Sequence, residues 1–307
     1  MRRLKWWLRG LSQRIAPRLT FAILANRTWL HEPEIGLLPL LSSSNALAID
    51  AGANKGVYLY HLSRHFQRVV AFEPLPEMSA FLKAAAPLNT TVHALALSNA
   101  AGEAEIMMPR GFNELASLEP SSGAASNIER HRTPLRTLDS FSLSPVGLIK
   151  IDVEGHEFAV LEGARETIAR YHPTILVEVE ERHKPGGIAR IRGLLESSGY
   201  EGYYLDGPAL RPIADFDPAR DQDEGSLQRS VKVGRYINNF IYFERRQAAE
   251  RAATINRWLR MPPHAQTAMI DDSGGGGRVP AWHAAVAGGG LRFQKYKGEA
   301  RATADKV

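Results

Sequence analysis

The chain has 307 residues, 44% hydrophobic and 23% charged, which is enough for one large domain with extensions and is ordinary for a globular protein. It has 0 cysteines, which excludes disulfides, thiolate metal sites, iron–sulfur clusters and thiol nucleophiles. The surplus of 38 Lys and Arg over 33 Asp and Glu gives a formal charge of +5, whose placement matters more than its size, because nucleic-acid binding needs a concentrated basic face.

The surplus sits at the start. Arg2, Arg3, Lys5, Arg9, Arg14, Arg18 and Arg27 precede the first acid, Glu32, and Trp6, Trp7, Leu8, Leu11 and Ile15 are interleaved among them. Residues 1–44 read as a basic, Trp-containing helical extension. Such a helix suits an anionic membrane surface, and it also suits packing on the domain through its apolar stripe with the basic side in water. Arg9 and Arg14 interrupt any secretory apolar run, and no stretch is long and apolar enough to span a bilayer. The expected location is cytoplasmic, with a peripheral membrane contact left open.

From about residue 45, short apolar runs alternate with helical-period segments, as in βαβ units around a parallel sheet. Ala46–Asp50 is the first predicted strand, Ala51–Gly56 a tight loop and Val57–His65 a helix. Arg68–Glu73 is a second strand stopped by Pro74, Glu77–Ala86 a second helix and Thr91–Leu97 a third strand, with Ala104–Met108 as a hairpin partner. Gly111–Pro134, rich in Ser, Gly and Asn, reads as a long loop and a candidate lid, with Asn113 and Ser117 near its tip as acceptor contacts. Val146–Asp152 is the fourth strand, followed by a helix with Phe158, Leu161 and Ile168 on one face. Thr174–Val179, Tyr200–Leu205 and Phe240–Phe243 are the fifth to seventh strands, with Ile188–Ser197 a helix after the fifth. Asp215, Asp217, Asp221, Asp223 and Glu224 read as a solvated loop. The seventh strand has no crossover helix before it and must pair antiparallel, which separates the sheet of Rossmann-like methyltransferases from the all-parallel dinucleotide sheet. The predicted fold is α/β, with a mostly parallel seven-stranded sheet over residues 45–245 and helices on both faces. Residues 246–307 read as a helix followed by a disordered glycine-rich tail.

The chemistry begins at Asp50-Ala51-Gly52-Ala53-Asn54-Lys55-Gly56, at the carboxyl end of the first strand, where open α/β sheets bind ligands. The glycines lack the spacing of a pyrophosphate loop, and Asp50 would repel a phosphate. An acid there suits a ligand bearing an ammonium, such as the amino-acid end of S-adenosyl-L-methionine. Glu73, at the tip of the second strand, is placed to accept both hydroxyls of a ribose. At the end of the fourth strand, Lys150-Ile151-Asp152-Val153-Glu154-Gly155-His156-Glu157 brings acids and an imidazole to the crevice. Asp152 and His156 are the catalytic candidates, His156 as proton acceptor. A helix-start reading of the same residues makes the acids dipole partners and His156 an exposed first-turn residue. Glu178, Glu180, Glu181 and His183 follow the fifth strand and could join Asp152 around magnesium, but their alternation does not favour it, and the reading carries no metal.

These strings, together with Ala71-Phe72-Glu73-Pro74, Ala96-Leu97-Ser98, Thr137-Leu138-Asp139 and Leu161-Glu162-Gly163-Ala164, closely resemble the FkbM family of S-adenosylmethionine-dependent methyltransferases over about residues 45–181. The resemblance implies that Asp50, Gly52, Asn54 and Glu73 hold the cofactor, that Leu97 and Ser98 border its adenine, and that Asp152, Glu154 and His156 line the acceptor side. It further implies O-methylation of a sugar, glycolipid, polysaccharide or polyketide-type acceptor. No Asn/Asp-Pro-Pro-aromatic string follows the fourth strand, so a nucleic-acid partner is not expected. The alternatives are a methyltransferase acting on nitrogen or on nucleic acid, and a non-catalytic peripheral membrane or scaffold protein that keeps the cofactor fold.

Overall fold

The computed structural model describes residues 16–28, 32–42, 46–109, 117–118, 128–228, 231–232, 234–262, 265–266, 282–287 and 290–295. In chain order these include α1 (Pro17–Thr28), a 3₁₀ turn (Pro33–Leu37), α2 (Leu38–Leu41), β1 (Leu47–Ala51), α3 (Val57–His65), β2 (Arg68–Phe72), α4 (Pro76–Ala85), β3 (Thr90–His93), β4 (Ala96–Leu97), β5 (Gly102–Pro109), β6 (Ile128–Arg136) and β7 (Val146–Ile151). Then follow α5 (Glu157–Glu162), α6 (Arg165–Tyr171), β8 (Thr174–Glu178), α7 (Gly187–Ser197), β9 (Tyr200–Asp206), β10 (Ala209–Pro212), α8 (Pro218–Asp221), β11 (Leu227–Gln228), β12 (Val231–Lys232), β13 (Asn239–Glu244), α9 (Arg245–Leu259), β14 (Trp282–Ala287) and β15 (Gly290–Lys295).

The main sheet runs β10-β9-β13-β8-β7-β1-β2-β3. Strands β3, β2, β1, β7 and β8 are mutually parallel, and β13 is antiparallel to both β8 and β9, as the missing crossover helix requires. The central strands are buried on both sides, which is why they read as unbroken apolar runs. Alternation sends Ala48, Leu148, Leu176 and Ile241 to one face, under Phe21, Leu59, Leu62 and Trp258. Ile49, Ile149, Ile175 and Phe240 go to the other, under Val160, Leu161, Ile191 and Leu195. The carboxyl ends of β1, β2, β7 and β8 therefore meet at one edge between two helix layers.

Several expectations change. The sheet has an eighth strand, β10, turned back on β9 through Gly207 at φ 54°. The predicted third strand divides: the chain leaves the main sheet after His93, and Ala96–Leu97 joins a three-stranded sheet β4-β6-β5. Strand β5 pairs along its length with β6, so residues 128–134 are strand and not lid. The side chains of β6 are mostly in water, which left no apolar alternation to read. The helix after β7 breaks at Gly163, where a side chain would stand 2.0 Å from the carbonyl oxygen of Ser98, just past β4. Asp139 then caps α6, accepting from the amides of Glu166 (3.0 Å) and Thr167 (2.8 Å). Asp221, read as part of a solvated loop, is fully buried and accepts from Arg220 and Arg235. Although burial opposes ionisation, the hydrogen bonds from Arg220, the Asp217 amide and Arg235 hold its carboxyl at about 2. In the segment read as a disordered tail, β14 and β15 pair as a hairpin.

The extension is described only from residue 16, through α1. Phe21 and Ala25 are buried against α3 and α4, with the Phe21 ring edge-on to Tyr60 (5.7 Å) and Phe81 (6.1 Å). Leu19 and Ile23, on the other side, are 63% and 45% exposed. Trp6, Trp7 and the basic residues up to Arg14 lie outside the described residues. Among the described residues no helix is long and apolar enough to cross a membrane.

Phe21 docks where it does because residue 56 has no side chain. Gly56 has φ 79°, and a Cβ on it would stand 2.4 Å from the Phe21 ring and 2.6 Å from Leu82. Gly56→Ala is expected to destabilise the protein by about 1–3 kcal/mol in urea unfolding. Gly102→Ala, where a Cβ meets nothing within 4 Å, should stay within about 0.5 kcal/mol of the parent. Equal effects would mean that α1 does not rest on that glycine.

Candidate functional site

The loop after β1 is built from left-handed residues, Gly52 (φ 82°), Asn54 (φ 45°) and Gly56 (φ 79°). A side chain at residue 52 would stand 1.8 Å from the Asp152 carbonyl oxygen, so only glycine lets this loop lie against the end of β7. The amides of Gly52 and Ala53 donate to the Phe72 carbonyl at 2.9 and 3.1 Å, and the Asp152 amide donates to Ala51 O at 3.0 Å. The loop is thus held between β2 and β7. Glu73 completes the hold: Oε2 accepts from the Asn54 amide at 2.6 Å and Oε1 from the Leu75 amide at 2.8 Å.

Both predicted cofactor acids are buried, Asp50 at 1% exposure and Glu73 at 3%. Burial pushes Asp50 up to about 7, against the pull of Lys150, and pushes Glu73 up to about 7 against its two amide hydrogen bonds. Asp50 Oδ2 and Asn54 Oδ1 are buried without a hydrogen-bond partner among the described residues. Each oxygen of Glu73 keeps a second lone pair. These acceptors fit a ligand carrying an ammonium and neighbouring hydroxyls, and they do not fit a phosphate. Leu97, expected at the ligand's edge, is buried in the core with Phe72 and Leu138. The Ser98 amide donates to Arg136 O at 2.9 Å, and Ser98 Oγ lies 3.0 Å from His156 Nε2.

At the end of β7 the predicted residues separate into two groups. Asp152, 33% exposed at its side chain, has Oδ2 3.5 Å from Nζ of the fully buried Lys150, whose ammonium also sits 4.6 Å from the centre of the Tyr58 ring. Glu154 occupies a left-handed turn (φ 52°) before Gly155 (φ 100°), a conformation that costs on the order of 1–3 kcal/mol in a residue with a side chain. That turn aims Glu154 away from α5 toward His183, with Oε2 3.0 Å from Nδ1. Burial, reinforced by Asp152, Glu180 and Glu157, holds the Glu154 carboxyl well above its ordinary range, while burial lowers His183. Ser117 Oγ donates to the Glu154 carbonyl; Asn113 lies outside the described residues. Glu157 is buried and accepts from the Gly155 amide at 2.7 Å.

Sequence reasoning passed over Lys150, Tyr58, Glu157 and the His183–Glu154 pair. A lysine within the apolar run of β7 was a signal, since a charged residue in a strand buried on both sides needs a partner. Of the acids considered for magnesium, Glu180 is bound by Arg182, Tyr236 (2.7 Å) and Asn238 (3.3 Å), and among the described residues no three acids or histidines converge as metal ligands.

The comparisons with known proteins follow the same line. The model of the Methyltransferase FkbM domain matches residues 50–201. Methyltransferase sdnD of Sordaria araneosa is 27% identical over 197 residues, 52% of this chain and 74% of that protein. The solved structure of methyltransferase FkbM from Methylobacillus flagellatus KT aligns with 66% of this chain at 16% identity and a TM-score of 0.43, and this chain spans 44% of its length. SMU.1697c of Streptococcus mutans, a putative methyltransferase in complex with SAH, aligns with 69% of this chain and 96% of its own at 10% identity and a TM-score of 0.41.

The raised carboxyls fix a pH dependence. Asp50 titrates at about 7 when folded against 3.8 for an ordinary Asp, so between those values the folded state binds the extra proton, and stability falls as pH rises through that window. Asp50→Asn cannot ionise. Thermal unfolding should therefore show the variant gaining on the parent from about pH 4 to about pH 7, by about 1.4 kcal/mol for each unit of raised pKa as an upper bound. A difference independent of pH would mean that Asp50 is not held in its neutral form.

Proposed function

We infer, taking as premise that residues 50–201 make this chain a methyltransferase of the FkbM family, that it moves the methyl group of S-adenosyl-L-methionine to a hydroxyl of a saccharide, glycolipid or secondary-metabolite acceptor. The observation that carries this reading is the pair of buried carboxyls at adjacent strand tips, Asp50 and Glu73, with the left-handed glycine loop held between them. Asp50, with an unfilled acceptor oxygen, suits the ammonium of the donor's amino-acid end. Glu73, with a lone pair left on each oxygen, suits the ribose hydroxyls. When bound, the donor supplies an electrophilic methyl on a sulfonium, open to direct displacement. The chain's own work is to bind both partners, keep water out, and take the proton from the acceptor hydroxyl.

Two histidines stand on the acceptor side. His156 has Nε2 engaged at 3.0 Å with Ser98 Oγ. His183 has Nδ1 held at 3.0 Å by Glu154, and its Nε2 makes no hydrogen bond among the described residues. This is the arrangement of an oriented base. Nε2 can receive the hydroxyl proton in the form in which Glu154 is ionised and the proton of the pair lies on Nδ1, a form that burial of Glu154 opposes and that acceptor binding would have to favour. We therefore assign proton acceptance to His183 with Glu154 positioning its ring, and we place His156 and Asp152 along the acceptor.

Titration calorimetry with S-adenosylhomocysteine should show Glu73→Gln weakening binding by about ten- to a hundredfold, the worth of charge-assisted hydrogen bonds to two hydroxyls. Undiminished affinity would remove Glu73 from the site. His183→Asn and His156→Asn should both keep that affinity. With a methyl-labelled donor and an envelope and metabolite extract of the source organism, His183→Asn should slow transfer by about 10²–10⁴-fold. A loss confined to His156→Asn would return the base to His156.

A further inference from the structure

Three buried or half-buried residues from outside the matched domain come together beside Asp152. Asn239, in β13, is paired in register with Glu178 of β8 and is 1% exposed. Its amide nitrogen donates to Glu32 Oε2 at 3.1 Å and Glu34 Oε2 at 3.4 Å, both on the segment that leads into β1. The neighbouring layer is Tyr58 of α3, Lys150 and Asp152. Carboxylates thus surround the ammonium of Lys150. Although burial opposes its charge, Asp152, Glu178, Glu32 and Asp50 together raise its pKa.

An acidic cluster alone can be structural, but this one contains polar atoms that the fold leaves unmatched. Tyr58 Oη and Asn239 Oδ1 are buried and have no hydrogen-bond partner among the described residues. After burial itself, the charges that raise the Tyr58 phenol are Glu32, Glu34, Glu178 and Asp152. A buried unpaired carbonyl or hydroxyl is costly, and each one in a folded protein calls for an explanation. Both accept hydrogen bonds, and among the described residues Glu32 and Asp152 act beside them with the single ammonium of Lys150. Glu32, Asp152 and Glu178 are half-buried, and Asp152 and Glu178 stand at the ends of β7 and β8.

We propose that this cluster is the acceptor subsite and that it selects an acceptor carrying a protonated amine beside its hydroxyls, an amino-sugar-like molecule. The amine would donate to Asn239 Oδ1, Tyr58 Oη and the surrounding carboxylates. The same acids that keep Lys150 charged keep that amine protonated. A protonated amine has no lone pair, so the group that anchors the acceptor is protected from methylation and the methyl goes to a hydroxyl. The proposal rests on the acceptor side lying over β7 and β8, as inferred above, and commits that side to a cationic ligand.

The probes are glucosamine, glucose and N-acetylglucosamine, titrated by saturation-transfer NMR against the full chain saturated with S-adenosylhomocysteine. Glucosamine should bind at least about tenfold tighter than the other two, the effect of charge-assisted hydrogen bonds. Glu32→Gln should erase most of that preference. Tyr58→Phe, which removes an unmatched hydroxyl and should fold at least as well as the parent, should weaken glucosamine several-fold. Both variants should keep the parent's affinity for S-adenosylhomocysteine, measured by calorimetry. Equal binding of the three sugars, no glucosamine binding, or variants that bind it like the parent would overturn the proposal. Loss of S-adenosylhomocysteine affinity in Glu32→Gln or Tyr58→Phe would also overturn it, by moving the cluster into the donor site. If the parent fails to bind S-adenosylhomocysteine, the methyl-donor reading fails instead.

Discussion

The Asp152 carbonyl stands in the space that a side chain on residue 52 would need. This backbone contact joins the ends of β1 and β7 into one rim, and the rest of the site depends on it. On one side of it lies the loop with Asn54 in a left-handed conformation; on the other lies the turn with Glu154 in another. Non-glycine residues adopt such angles only where their surroundings over-determine them. Here the surroundings are specific: Glu73 holds the Asn54 amide, and Glu157 holds the amide that follows Glu154. Two carboxyls therefore serve as braces for the two loops at the rim.

The braces come at a cost. Asp50, Glu73 and Glu157 are all pushed up to about 7, burial being the first cause in each. At neutral pH the unliganded protein therefore keeps carboxyls near the point where a proton leaves easily. A cation or hydroxyl donor arriving at Asp50 and Glu73 favours the ionised form, so binding and deprotonation reinforce each other. A fully hydrated rim would gain less from the same contacts, because water would already satisfy the acids.

The central sheet was legible because its strands are buried on both faces and read as apolar runs bounded by Gly and Pro. Asp50 and Glu73 were legible for the same reason, since each acid ends such a run. Strand β6 was not, because its charged side chains face water and its partner β5 supplies the pairing. The pairing of Asp50 with Lys150 across β1 and β7 depends on register, which apolar runs do not specify. The His183–Glu154 contact depends on the left-handed turn at Glu154. Spacing alone assigns that acid to the first turn of a helix, where its partner would have been the helix dipole. The hydrogen bond from Asn239 to Glu32 joins residues 207 positions apart, and neither belongs to a motif.

That last contact shows how the molecule divides its work. The residues that suit the methyl donor, Asp50 through Glu73, and the histidine pair all fall within 50–201. Glu32, Glu34 and Asn239 fall outside it, and they reach the rim from the segment before β1 and from the antiparallel strand inserted last into the sheet. Changing them alters the charge beside Asp152 without touching the glycine loop, its hold on Phe72 or the two braces. The flank before β1 also carries α1, whose Phe21 is seated over Gly56 at the end of that same loop. One flanking segment thus packs over Gly56 through an aromatic ring and reaches Asn239 through two carboxylates. If the acceptor subsite is where we propose it, a change of preference made through Glu32 or Glu34 depends on the same segment whose helix α1 packs over the glycine loop, so the docking of α1 would bear on both donor binding and acceptor choice.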